Sequence, residues 1–100
     1  MIRHVVMWKL KNPADAAHFK ARLDSCSGLT GGILAYEVGI RADGLEANVD
    51  VLLVSDFTDA AALAAYQTHP HHRAVSAELG PLRETRHVLD VALPDAAESA

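Results

Sequence analysis

Pro70 stands inside what would otherwise be one helix running from 59 to 80, and that placement dictates how the C-terminal half of the chain is laid out. Before it, DAAALAAYQ over 59–67 is rich in strong helix formers, with Leu63 and Tyr66 (i, i+3) marking the face it buries. Proline cannot continue the helix, and it biases His69 away from the α region. A second helix can start at the break, because proline is favoured at the first helical position and Thr68 or His69 can serve at or near the N-cap. Beyond the break His72, Val75 and Leu79 fall at i, i+3 and i+7, so the imidazole of His72 shares the apolar stripe and points inward. His71 and Arg73 point toward solvent or a rim. The run Tyr66-x-x-His69-Pro70-His71-His72 thus gathers proton-moving side chains across a single helix break.

The rest of the chain alternates between two periods. Residues 2–10 alternate as a strand, with Ile2, His4, Val6, Trp8 and Leu10 on one side and Arg3, Val5, Met7 and Lys9 on the other. Asn12-Pro13 ends that strand and opens a helix in which Ala16, Phe19, Leu23 and Cys26 form one apolar stripe, closed by Gly28. After a Gly31-Gly32 turn, 33–41 reads as a second strand with Leu34, Tyr36, Val38 and Ile40 on one face. A polar connection over 42–48 leads to a third strand over 49–57, and the short link predicts an antiparallel hairpin. A fourth strand is predicted over 83–92. The tail over 94–100, ending DAAESA, is expected to fray.

The order is therefore β-α-β-β-α-β, an α+β, ferredoxin-like arrangement: a four-stranded antiparallel sheet with both helices on one face. Its other face is apolar: Val5 and Met7 from the first strand, Leu52 and Val54 or else Val51 and Leu53 from the third, and Val88 from the fourth. The chain supplies no third layer to cover it. A second copy packed sheet to sheet is the economical cover, which predicts a homodimer.

Composition sets the outer limits. The 100 residues make one domain, expected over 1–93, with half the residues hydrophobic and 22% charged. Net charge is −4 and the nine basic residues are scattered, which argues against a nucleic-acid partner. The single cysteine, Cys26, forms no internal disulfide and fits a reducing cytoplasm. No stretch approaches the ~20 apolar residues of a membrane helix, so no membrane association is expected.

His72 and Tyr66 are the candidates for chemistry. An imidazole titrates near neutrality and can take a proton α to a carbonyl, while a phenol can donate to the developing enolate oxygen, and this chemistry needs no cofactor. His4, on an apolar strand face, must find a partner for its ring nitrogens: a structural acceptor, Tyr66, or a ligand. His4, His69 and Trp8 are the candidate ligand-holding residues, with core packing the alternative for Trp8 and Phe19. His69, His71 and His72 resemble a metal cluster in one dimension, but their faces diverge around Pro70. No carboxylate or cysteine lies at a recognised ligand spacing, so no metal is expected. Asp50 and Asp56 read as solvated edge residues, and Asp59 as the N-cap of the broken helix.

The strings IRHVVMWKLK, VDVLLVSDFTD, AYQTHPHHRAV and ETRHVLDV together resemble the stress-responsive A/B barrel (Dabb) family of dimeric α+β barrels, over all of the chain but the tail. The resemblance implies two sheets facing each other with helices outside, and it does not imply one activity. The family includes plant stress-associated proteins and olivetolic acid cyclase, a polyketide cyclase whose catalytic tyrosine and histidine fall on Tyr66 and His72. A histidine of the family's first strand falls on His4. A further histidine of that cyclase falls on Val51, which departs from the pattern. Three functions follow as expectations: a cofactor-independent lyase or cyclase acting on a hydrophobic carbonyl compound, a non-catalytic stress-responsive dimer, and a cofactor-free monooxygenase of the dimeric-barrel type.

Overall fold

The computed structural model describes residues 1–94; the end of the predicted tail, 95–100, lies outside the described residues. Strand β1 (Ile2–Leu10) leads through a 3-10 turn (Pro13–Asp15) to α1 (Ala16–Asp24), then to β2 (Ile33–Ile40) and β3 (Val51–Phe57). The broken helix follows as α2 (Ala60–Thr68) and α3 (Pro70–Leu79), and β4 (Arg83–Ala92) closes the order. The strands form one sheet in the order β2-β3-β1-β4, every neighbouring pair antiparallel.

The 3-10 turn before α1, and helices α2 and α3, each begin where a side chain answers the free N–H groups of the first turn. Asn12 Oδ1 accepts from Ala14 N at 3.0 Å, Asp59 Oδ1 from Ala62 N at 2.8 Å, and His69 Nδ1 from His71 N at 3.0 Å. At His69 the backbone leaves the helical region (φ −60, ψ 136), as a residue preceding proline must. Helix α1 ends at Asp24, before the expected Gly28, and Ser25 caps it without a left-handed residue. The left-handed glycine is Gly32 (φ +82), where a Cβ would stand 2.8 Å from Ala62 Cβ and 2.9 Å from Thr58 Oγ1. That close approach seats the turn before β2 under α2.

Val6, Trp8 and Leu10 of β1, Val38 of β2, and Val51, Leu53 and Phe57 of β3 face the helices and meet Phe19 and Leu23 of α1, Leu63 and Tyr66 of α2, and Val75 and Leu79 of α3. The opposite face carries Val5, Met7, Leu52, Val54 and Leu89, set in rows by the pairs Val5–Val54, Met7–Leu52 and Val5–Leu89. Of the two alternatives for the third strand, Leu52 and Val54 therefore lie on the open face.

Four expectations need correction. Val88 pairs with Val6 on the helix face, so Leu89 takes its place on the open one. Leu34 is not an inward residue: the register slips between Ile33 and Ala35, the extra residue is turned out 58% exposed, and Ile33 packs on the core instead. Asp50 is buried because its Oδ2 accepts the Leu10 N–H at 2.8 Å. Asp56 is buried under a bidentate Arg3 pair at 2.8 and 3.1 Å, which holds its carboxyl below the usual range.

Candidate functional site

A row of polar side chains crosses the helix face of the sheet. Register places Tyr36 of β2 beside Ser55 of β3, Ser55 beside His4 of β1, and His4 beside Asp90 of β4. The His4 ring is 2% exposed, and its Nδ1–H donates to Asp90 Oδ1, which answers the desolvation of the imidazole with a charge-assisted bond. Of the partners open to His4 in the sequence, a carboxylate on the neighbouring strand is the one it takes. Ser55 is sealed in the middle of the row, and its hydroxyl has no hydrogen-bond partner among the described residues.

Two helical side chains lie over this row. Tyr66 of α2 is fully buried, with its ring against Phe57 at 5.2 Å and against His72 of α3 at 4.6 Å, edge to face. Its hydroxyl lies 3.1 Å from that of Tyr36, which in turn donates to the carbonyl of Leu23 at 2.7 Å. A phenol has one proton, so with Tyr36 committed to Leu23 the bond between the two hydroxyls is donated by Tyr66. Burial pushes the Tyr66 phenol up to about 12 and that of Tyr36 higher still, so both remain protonated donors.

His72 is half-buried, as its place on the apolar stripe of α3 predicts. Burial lowers its pKa below the ordinary 6.5; a hydrogen bond to the Gln67 carbonyl pulls the other way, and the charges of His4, Arg86 and His69 add to the lowering. The ring is thus neutral at pH 7. One nitrogen donates to Gln67, and the other keeps its lone pair. Because the folded value lies below that of the unfolded chain, the unfolded chain binds more protons as the pH falls through this window. The contribution of His72 to stability is therefore present above 6.5 and lost as the pH falls through the folded value. Between about pH 7.5 and 5, thermal melts are expected to show His72→Gln losing less stability than wild type. Equal losses would contradict this placement of the ring.

The remaining candidates separate. His69 is committed at Nδ1 to capping α3. His71 turns to α1, its Nε2 2.8 Å from Ser25 Oγ. Trp8 is core, 5.2 Å edge to face from Phe19. Among the described residues no group of three histidine, cysteine or acidic side chains is placed to hold a metal ion. His4 and Tyr66 are sealed, and of the three residues expected to line a pocket together His72 is the half-buried one. On β4, Val88 stands on the helix face yet is 49% exposed, because α1 and α2 lie chiefly over β1, β2 and β3. The larger hollows lie elsewhere, among them one of about 310 Å³ on the open face beside Leu45 and Leu52.

Sequence reading missed Asp90, Tyr36 and Ser55. The available signal for Asp90 was a lone carboxylate inside an otherwise apolar strand, VLDVA.

Known structures share this arrangement. A dimeric ferredoxin-like protein of unknown function from Thermobifida fusca is 25% identical, with a TM-score of 0.82 over 92% of this chain and 90% of that one. A Dabb family protein from Mesorhizobium loti is 23% identical, with a TM-score of 0.77 over 93% and 96% of the two chains. A candidate antibiotic biosynthesis monooxygenase from Nitrosomonas europaea has a TM-score of 0.76 over 93% and 98%; at 14% identity the likeness is one of fold. No curated protein matches the chain in sequence. Among the described residues no helix is long and apolar enough to cross a membrane. The sequence profile described as Stress responsive A/B Barrel Domain matches residues 2–93, and the chain belongs to that family.

Proposed function

We propose that the protein is a cytoplasmic homodimer, joined through the open sheet face, that holds a hydrophobic carbonyl compound beside His72 and moves a proton on it. The observation that carries this reading is the state of His72: a neutral, half-buried imidazole fixed by the Gln67 carbonyl and the Tyr66 ring. Such a base can take a proton α to a carbonyl. Tyr66, kept protonated by burial, is sealed in the ligand-free protein and donates to the enolate oxygen once the ligand displaces the packing over its hydroxyl and takes the place of Tyr36. The carbanion then closes on a second carbonyl of the same molecule, an aldol cyclisation of the polyketide-cyclase kind.

A thermal-shift screen of aromatic polyketide analogues, followed by proton–deuterium exchange at the α carbon of any ligand found, tests the reading. Exchange is expected to fall at least about a hundredfold in His72→Ala while the fold is retained. Undiminished exchange in that variant removes His72 from the chemistry. A second reading, a stress-responsive dimer without catalysis, is favoured by the closure of the core over Tyr66 and His4. It predicts a screen in which no analogue shifts the melting temperature.

A further inference from the structure

The pairing of β1 with β4 contains an irregularity that the chemistry above does not use. Trp8 faces Arg86 and Lys9 faces Thr85, but Leu10 faces Arg83, so Glu84 is the extra residue of a β-bulge. Residues three apart in a regular strand point to opposite faces. Here the bulge brings Arg83 and Arg86 onto the same one, the helix face, opposite the buried Leu10 and Trp8. Bulges recur beside functional sites because they re-aim a side chain at the expense of ladder pairing.

Both arginines line a cavity of about 70 Å³, with Ser76 of α3 and the Trp8–Phe19 aromatic wall. Among the described residues neither is paired with a carboxylate. Asp90 is taken by His4, Glu84 lies 3.4 Å from Lys9, and Glu78 is held by Arg22 and His18. The cavity adjoins the proposed site: Ser76, which lines it, stands at i+4 to His72 on α3, one helical turn along the same side. Two unpaired guanidinium groups, a hydroxyl and an apolar wall suit an anion that carries a hydrophobic body. The volume admits a group of carboxylate size.

We infer that Arg83 and Arg86 form a carboxylate-binding subsite, so that the molecule held beside His72 is an oxo acid with a hydrophobic body. This rests on the reading of His72 given above. Dimerisation through the opposite face of the sheet leaves the subsite open.

The test is an NMR titration of ¹⁵N-labelled protein with benzoate, following the arginine Nε–H resonances, with inorganic phosphate as a second arm. Benzoate is expected to shift Arg83 and Arg86 saturably and to leave Arg41 unmoved. Arg83→Gln and Arg86→Gln, each on an exposed or half-exposed strand position, are each expected to weaken it about tenfold. The absence of saturable shifts, equal affinity in both variants, or tighter binding of phosphate than of benzoate overturns the assignment. His72→Ala separates the two proposals. If it binds benzoate as wild type does, and neither protein exchanges protons on any ligand, the subsite stands and proton transfer falls. If wild type exchanges protons on a ligand while benzoate leaves both arginines unmoved, the subsite alone falls.

Discussion

Val54→Lys is expected to turn the proposed sheet-to-sheet dimer into a monomer at micromolar concentration in sedimentation velocity. Val54 sits mid-sheet on the open face, opposite Val5 on one side and Glu37 on the other, with Leu89 and Leu52 completing the apolar patch. In a sheet-to-sheet dimer each protomer brings the substitution, so two ammonium groups enter one desolvated interface. Removing both from water costs at least about 4 kcal/mol, a thousandfold in the dissociation constant. In the separated protomer the same lysine lies against Glu37 and keeps its water, so the fold survives. Ala65→Lys, on the exposed side of α2, is the matched control and leaves the dimer intact. A dimer that persists in Val54→Lys would place the interface elsewhere on the molecule.

Local rules made most of the scaffold legible. The break at Pro70, the end of β1 at Asn12-Pro13, the cap at Asp59, the parity of β1 and the inward turn of His72 all follow from neighbours within a few residues, and the structure agrees with each. What escaped depends on register between strands far apart in sequence. The bond from His4 to Asp90 spans 86 positions, that from Arg3 to Asp56 spans 53, and the contact of Tyr36 with Tyr66 spans 30. No periodicity reports which residue lies opposite which. The bulges at Leu34 and Glu84 had the same effect: each shifts parity by one and moves every later side chain of its strand to the other face. Val88 was assigned to the wrong face because parity in β4 is set by its pairing with β1, which the strand's own sequence does not reveal. Half-burial of His72, the main cause of its lowered pKa, was readable from helical spacing, whereas the smaller contributions from charges on β1, β4 and the α2–α3 break were not.

Tyr66 separates packing from chemistry, because its ring and its hydroxyl do different work. Tyr66→Ala removes a fully buried ring that touches Phe57, Tyr36 and His72. The expected cost is about 3–5 kcal/mol, which lowers the melting temperature of a domain this size by roughly 15–30 °C. Against a total stability of about 5–15 kcal/mol, that brings the chain to the edge of unfolding. Tyr66→Phe keeps the ring and deletes one hydrogen bond. Tyr36 retains its bond to the Leu23 carbonyl, so the loss is about 1 kcal/mol. The phenylalanine variant is therefore the informative one for function. If the hydroxyl donates to an enolate, proton exchange on a bound ligand drops about a hundredfold in Tyr66→Phe while melting changes by only a few degrees. If the phenol serves only to hold Tyr36 and buttress the His72 ring, exchange stays within a few-fold of wild type, and the catalytic donor must be sought among the groups at the open edge of β4.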